Sequence, residues 1–231
     1  MSMQKIPFHL GIILDGNRRW AKEKGLPSFE GHRRGLNNVQ KIGDYCAKKG
    51  IKILTLYTFS TENWKRPKRE ISYLMKLFAE SLGKKNLQEL HKKEVKLQII
   101  GQKEKLPQAL QERIKEAEKL TKNNKKRILN LAISYGGRIE ITQAVKNIIK
   151  KKIPVNKITE ELINNNLWTT GLPYPDLIVR TGGVKRLSNF LTWQSAYSEF
   201  YFTKKFWPEF TEKDLDKALL DFSLRERRFG K

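Results

Sequence analysis

The strongest constraint on this chain is an alternation. Short apolar runs, each ending abruptly in polar and glycine residues, are separated by longer stretches whose apolar residues recur with helical period. The candidate strands are His9–Leu14, Ile51–Thr58, Val95–Ile100, Ile128–Ser134, Asp176–Val179 and Glu199–Thr203. Between them, Ile71, Leu74, Met75, Phe78 and Leu82 fall at spacings of three and four, and Leu106, Ala109, Leu110, Ala117 and Leu120 form a second such set. That spacing places apolar side chains on one helix face. Strand, helix, strand order with connections long enough for crossovers predicts an α/β fold with a mainly parallel central β-sheet flanked by helices. No repeat, low-complexity segment or Pro/Gly/Ser-rich linker divides the 231 residues, so residues 1–231 are expected to form a single domain.

Open parallel sheets bind ligands beyond the carboxyl ends of their strands, so the chemistry should follow the strands. Three arginine-bearing loops do. The first is Asp15-Gly16-Asn17-Arg18-Arg19-Trp20, the second Ser60-Thr61-Glu62-Asn63-Trp64-Lys65-Arg66, and the third runs from Arg180-Thr181-Gly182-Gly183 to Arg186-Leu187-Ser188-Asn189. In the first, small residues let backbone N–H groups reach an anion while arginine supplies bidentate donors. An aspartate among those arginines suits a bridging Mg²⁺, which takes one or two carboxylates plus phosphate oxygens and water. Standing alone, Asp-Gly-Asn is more often a helix cap. In the second loop Ser60 and Thr61 cap or bind substrate, Asn63 offers donor and acceptor, and Trp64 either packs in the core or faces an apolar substrate. The third reads as a second diphosphate site.

Downstream, Glu199 lies among Tyr197, Phe200, Tyr201 and Phe202, where an unpaired charge is costly, so it needs a cation or a basic partner such as Arg180. Of three histidines, His9 and His91 read as structural or solvated. His32, beside Gly31 and Arg33-Arg34, reads as a diphosphate donor or proton carrier.

The net charge of +23 favours anionic partners without choosing among them, and much of the excess sits in lysine clusters typical of solvated helix ends. No zinc finger, RNA-recognition pattern, Walker A or Gly-x-Gly-x-x-Gly motif appears, so nucleic acid is not the expected partner. Cys46 is the single cysteine, which precludes an intrachain disulfide and a thiolate metal cage. No window approaches the roughly 18 uninterrupted apolar residues of a spanning helix, and no signal-peptide pattern is present, which points to the cytoplasm.

Taken together the motifs resemble the cis-prenyltransferase family, to which undecaprenyl diphosphate synthases belong. The resemblance is carried by His9 to Lys22 with Gly31-His32, by Thr58 to Pro67, by Ser134-Tyr135-Gly136-Gly137-Arg138, by Asp176 to Gly183 with Arg186 to Phe190, and by Trp193 to Glu199. It covers nearly the whole chain. It implies an allylic diphosphate held by Gly16, Asn17, Arg18, Arg19 and His32, with Trp20 and Ser28 beside it, and isopentenyl diphosphate against Arg180, Arg186, Leu187 and Ser188. Ser60, Thr61, Glu62, Trp64 and Arg66 would border the substrates. Asp15 and Asn63 would be catalytic, Asn63 at the position assigned to proton removal, although the diphosphate itself is an equal proton acceptor with Asn63 or His32 orienting it. Asp15 and Glu199 would hold Mg²⁺. The implied reaction extends farnesyl diphosphate by repeated cis additions to a long-chain product, undecaprenyl diphosphate for the cell-wall lipid carrier. The growing chain would enter a hydrophobic tunnel walled by the Ile71–Leu82 helix. The resemblance further implies a homodimer, a C-terminal Arg228-Phe229-Gly230 reaching the partner's site, and peripheral contact with the inner face of the membrane. Two positions depart from the family pattern: Ser28 stands where arginine is common, and Val184 where glutamate is. Arg18, at a position commonly glycine, or Arg33-Arg34 would replace the missing phosphate contact.

Overall fold

The computed structural model describes residues 5–226. Six strands, β1 (His9–Ile13), β2 (Ile53–Ser60), β3 (Val95–Ile100), β4 (Arg127–Tyr135), β5 (Leu177–Arg180) and β6 (Glu199–Phe202), form one sheet in the order β3-β4-β2-β1-β5-β6. Every pairing is parallel. The helices are α1 (Asn17–Glu23), α2 (Ser28–Lys48), α3 (Lys68–Ser81), α4 (Lys84–Lys92), α5 (Gln108–Thr121), α6 (Gly137–Lys150), α7 (Glu160–Asn164) and α8 (Glu212–Leu224). This is the single α/β domain expected from the alternation. All six predicted strands are present, with boundaries shifted by at most two residues.

Burial on both faces explains why the strands read as nearly unbroken apolar runs. Along β1, Leu10 and Ile12 enter the larger core with Leu54, Leu56 and Phe59, against Ile42 and Cys46 of α2, Leu74 and Met75 of α3, and Leu219 and Phe222 of α8. Ile13 instead joins a smaller cluster on the other face with Tyr57, Tyr135, Ile178 and Phe190. In α5 the buried face is Leu110, Ile114 and Ala117, spaced four and three apart, whereas Ala109 and Leu120 are exposed, contrary to expectation. Leu106 is buried but precedes Pro107 and lies outside the helix. Cys46 is core as expected, and burial pushes its thiol up to about 12.

The amino edge of the sheet is polar yet closed. The Nδ1–H of His9 donates to the Pro173 carbonyl at 2.7 Å, and its Nε2 lies 2.7 Å from Thr55 Oγ1. A carbonyl only accepts, so Nδ1 carries the proton, and Nε2 faces a hydroxyl able to donate or accept. Burial pushes the His9 pKa down to about 4, so the ring is neutral and Nε2 accepts from the threonine. The Asp176 carboxylate accepts from the backbone N–H groups of Phe8 and His9.

Candidate active site

At the carboxyl edge, β1 ends and the chain turns through Gly16 at φ 109° into α1. Asp15 is not the helix cap: Gly16 occupies that position without a side-chain cap bond, and the Asp15 carboxylate points elsewhere. Its Oδ1 accepts from Arg19 at 3.0 Å and its Oδ2 from Arg180 at 2.8 Å. Arg19 also donates to the Gly182 carbonyl at 2.6 Å. Glycine is required at 182, because a Cβ there would lie 2.6 Å from the Arg19 guanidinium and φ is 85°. Two glycines of α2 serve the same loop from below. A Cβ on Gly31 would come within 2.0 Å of the Asn17 carbonyl oxygen, and one on Gly35 within 2.3 Å of Asn17 Oδ1. Each glycine inside a helix costs about 1 kcal/mol relative to alanine, a cost accepted here to seat Asn17. Its Nδ2 donates to the Leu14 carbonyl, while Oδ1 is buried without a partner.

The loop after β5 forms a second wall. Arg180 is only 5% exposed, yet its guanidinium bridges Asp15, Ser188 Oγ at 2.7 Å and, through a short contact, the Arg186 carbonyl. Arg186 Nε donates to the same Ser188 hydroxyl at 3.2 Å. Ser188 and Asn189 both adopt positive φ, 49° and 69°, a strained conformation in non-glycine residues. Their surroundings hold it in place. Asn189 donates to Glu62 at 3.0 Å and accepts from the Arg138 N–H at 2.9 Å, and the Tyr57 hydroxyl donates to the Ser188 carbonyl at 3.2 Å.

Between β2 and α3 the 3₁₀ turn Thr61–Lys65 is closed by a reciprocal cap in which the Ser60 N–H donates to Asn63 Oδ1 at 3.1 Å. That bond orients the Asn63 amide and takes one of its oxygen's two acceptor positions. On the far side His32 is nearly buried, 3.1 Å from Glu70, with Arg66 3.0 Å from the same carboxylate oxygen. Burial holds the His32 pKa below its ordinary value, Arg66 and Arg18 add to that, and Glu70 opposes it.

These walls enclose a cavity of about 1250 Å³. Of the predicted residues, Asp15, Gly16, Asn17, Arg18, Arg19, Ser28, His32, Ser60, Glu62, Asn63, Arg66, Arg180, Arg186, Leu187 and Ser188 all border it. Ile13, Leu14, Leu26, Leu74 and Tyr57 add apolar surface. Leu74 is the single residue of α3 at the cavity, so most of the helix proposed as a tunnel wall is not exposed to it. Arg18 and Ser28 both border the cavity, whereas Arg33 turns away to Tyr73 and Glu80.

Trp20, Thr61 and Trp64 are not brought to the cavity. The Trp64 indole N–H donates to Ser134 Oγ at 2.9 Å and the ring packs edge-on against Phe59, so core packing claims it. The hydroxyl of Thr61 sits beside Gly136, where a Cβ would come within 2.7 Å of it. Trp20 is half-buried with its N–H unpartnered. Glu199 is also apart. The β5–β6 register pairs it with Leu177 and pairs Phe202 with Arg180, which sets its backbone about 10 Å back along the strand from the Arg180 level. Its partner is Arg225 at 2.7 Å, not Arg180. Arg228-Phe229-Gly230 lies outside the described residues.

The sequence reading missed Glu70, Asn189, Arg138, Tyr57 and Thr192. Arg138 and Asn189 stood within or beside recognised motifs, but that they border the cavity follows from tertiary contacts.

The donor set fits Mg²⁺ on one condition. Asp15 borders the cavity, and its two arginine bonds leave about half of a carboxylate's roughly four acceptor sites open. No group of three or more His, Cys, Asp or Glu able to hold a metal occurs among the described residues. The site therefore suits an ion whose shell is completed by diphosphate oxygens and water, not one caged by protein alone.

The Prenyltransf family model, undecaprenyl diphosphate synthase, matches residues 13–230. An isoprenyl transferase of Streptococcus agalactiae serotype III (strain NEM316) is 48% identical over 238 residues, covering 100% of this chain and 95% of the relative. The isoprenyl transferase of Clostridium perfringens (strain 13 / Type A) is 47% identical over 230 residues, covering 98% and 90%. Among solved structures, lavandulyl diphosphate synthase from Lavandula x intermedia in complex with dimethylallyl diphosphate aligns with a TM-score of 0.93 at 38% identity, covering 98% of this chain and 99% of the other. A probable undecaprenyl diphosphate synthase from Campylobacter jejuni aligns at 0.81, also at 38% identity, covering 99% and 100%. A family match over nearly the whole length, relatives of almost half identity and a cavity built from the matching motifs agree: this chain belongs to the undecaprenyl diphosphate synthase family of isoprenyl transferases.

Proposed function

We propose that this chain lengthens farnesyl diphosphate by repeated cis condensations with isopentenyl diphosphate, giving a long-chain product of the undecaprenyl class that serves as the cell-wall lipid carrier. One observation carries the reading: two anion-binding walls face one cavity and are joined by a single carboxylate, Asp15, bonded to Arg19 on one side and Arg180 on the other. Condensing two diphosphates needs two such sites and a means of stabilising one leaving group at their junction. That the lavandulyl diphosphate synthase structure holds dimethylallyl diphosphate supports an allylic diphosphate in this fold.

The allylic diphosphate lies against Gly16, Asn17, Arg18, Arg19, His32 and Arg66, and isopentenyl diphosphate against Arg180, Arg186 and Ser188. Arginine forks bind the departing diphosphate as its carbon–oxygen bond breaks. The isopentenyl terminal carbon then joins the allylic carbon, and loss of a proton sets the new double bond. Asn63 is an amide, a poor base, oriented by its bond from the Ser60 N–H, so it acts as an orienting group and the diphosphate is the better proton acceptor. Mg²⁺ bound through Asp15 would supply Lewis-acid stabilisation of the leaving diphosphate. Within one chain Glu199 is bonded to Arg225 at the other end of β6, so it would reach such an ion only if a second chain brought that edge to the cavity.

The remaining parts of the reading are a homodimer, a cytoplasmic location and peripheral contact with the membrane that receives the product. No helix among the described residues is long and apolar enough to cross a membrane. The test is to incubate the protein with radiolabelled isopentenyl diphosphate, farnesyl diphosphate and Mg²⁺ and to size the products by chromatography. Long-chain label that requires both substrates and the ion is the expected result. A product of one or two additions would move the chain to a short-chain member of the family.

A further inference from the structure

The cavity wall assigned to the allylic diphosphate carries three cationic or protonatable groups from three separate elements: Arg18 on α1, His32 on α2, and Arg66 just before α3. All three converge on one atom that does not border the cavity. Glu70 Oε1 is 3.0 Å from Arg66 Nη1, 3.1 Å from His32 Nε2 and 3.9 Å from Arg18 Nε. Glu70 sits in the first turn of α3 with its side chain only 10% exposed. The guanidinium groups of Arg18 and Arg66 repel one another, as they do His32 whenever it is protonated, and the repulsion grows as water is excluded. A single carboxylate behind them offsets that repulsion; it fixes His32 and Arg66 by hydrogen bonds and attracts the more exposed Arg18 by charge.

We propose that Glu70 is the positioning residue of the allylic-diphosphate wall, holding Arg18, His32 and Arg66 in one arrangement from beneath without touching substrate. The inference rests on the assignment of that wall to the allylic diphosphate. The bond geometry has a further consequence for His32. A carboxylate oxygen only accepts, so the Nε2 facing it carries a proton, which leaves Nδ1 as the ring's other position for interaction. Glu70 also opposes the effect of burial and of Arg18 and Arg66 on the imidazole, and so favours its charged form when an anion arrives.

The test is calorimetric titration of farnesyl diphosphate and, separately, isopentenyl diphosphate into the full chain, with thermal melts on the same preparations. Glu70→Gln keeps the shape and removes the charge. It is expected to weaken farnesyl diphosphate binding about tenfold and isopentenyl diphosphate binding by less than about twofold. A residue acting through its neighbours loses its effect when they are gone. In a His32→Ala, Arg66→Ala background, adding Glu70→Gln should therefore change farnesyl diphosphate binding by less than about twofold. Glu70→Asp, which keeps the charge at shorter reach, should recover part of the loss and serves as the reading variant if Glu70→Gln does not fold. Equal weakening of both diphosphates, a full tenfold loss persisting in the double background, or a lowered melting temperature with unchanged binding would each overturn the proposal. Wild-type protein that binds no farnesyl diphosphate would overturn the site assignment itself, whereas normal wild-type binding with an unaffected Glu70→Gln would overturn the role of Glu70 alone.

Discussion

The two ends of the sheet solve the same problem in opposite ways. Each carries buried polar side chains where parallel strands stop. At the amino edge His9 spends both ring nitrogens on Pro173 and Thr55, Asp176 caps two backbone N–H groups, and Glu199 is paired with Arg225. At the carboxyl edge the polar groups are wired to one another but not used up. Asn17 Oδ1 and Arg180 Nε are buried without partners beside a cavity of about 1250 Å³, and non-glycine residues 188 and 189 are held at positive φ. The amino edge carries such features too, an unpartnered Arg127 Nε and Glu94 at φ 53°, but neither borders the cavity, whereas at the carboxyl edge they line it among arginines. The difference separates a closed end that serves folding from an open end that serves an anion.

That contrast predicts that substitutions at the open end change kinetics and that substitutions at the closed end change stability. The largest expected effect is Asp15→Ala, which should lower turnover by about a thousandfold. Its melting temperature should fall only modestly, because Arg180 keeps its bonds to Ser188 and the Arg186 carbonyl. Wild-type rates in a folded Asp15→Ala protein would break the comparison at its centre.

Next in size is a pH effect at the closed end. With its folded pKa near 4, below the ordinary value of 6.5, His9 binds a proton less readily in the folded than in the unfolded chain. Stability from this group is complete above pH 6.5 and is lost as pH falls toward 4, by about 2 kcal/mol between pH 6.5 and 5. Denaturant melts across that window on wild type and His9→Gln isolate the effect, since His32, which is also shifted down, is common to both. Equal slopes in the two proteins would show that His9 is not held neutral.

A smaller effect separates the two walls of the open end. Arg186→Ala should raise the apparent KM for isopentenyl diphosphate about tenfold, with less than about a twofold change for the allylic substrate. Equal rises would mean that the diphosphate sites are misassigned.

Smallest is Glu199→Gln. The Glu199–Arg225 pair is about one-third exposed, and Arg225 keeps Asp221 at 2.6 Å, so the loss should be at most about 1 kcal/mol. The comparison also requires an unchanged Mg²⁺ midpoint. A raised midpoint would move Glu199 from the closed end to the open one and point to a second chain at the cavity.

The alternation of apolar runs and helical periods was sufficient to locate six strands and the parallel sheet, because burial on both faces writes itself into consecutive residues. The three arginine loops were equally legible, since a parallel sheet delivers whatever follows each strand to one edge. Side-chain direction was not legible. Thr61 and Trp64 share a motif with Asn63, yet one turn of 3₁₀ helix aims Asn63 at the cavity, Trp64 at Ser134 and Thr61 at Gly136. Neither was the partner of Glu199, because Arg225 lies 26 residues away and reaches it only once α8 packs beside β6. Glu70 drew no notice, since a glutamate in the first turn of a helix is ordinary. It becomes distinctive only when α1, α2 and α3 bring Arg18, His32 and Arg66 onto one of its oxygens. Local sequence determines which residues lie at the edge of the sheet, because strand and helix periods are local properties. Which of them face one another depends on packing between segments distant in the chain, and that the tertiary structure alone decides.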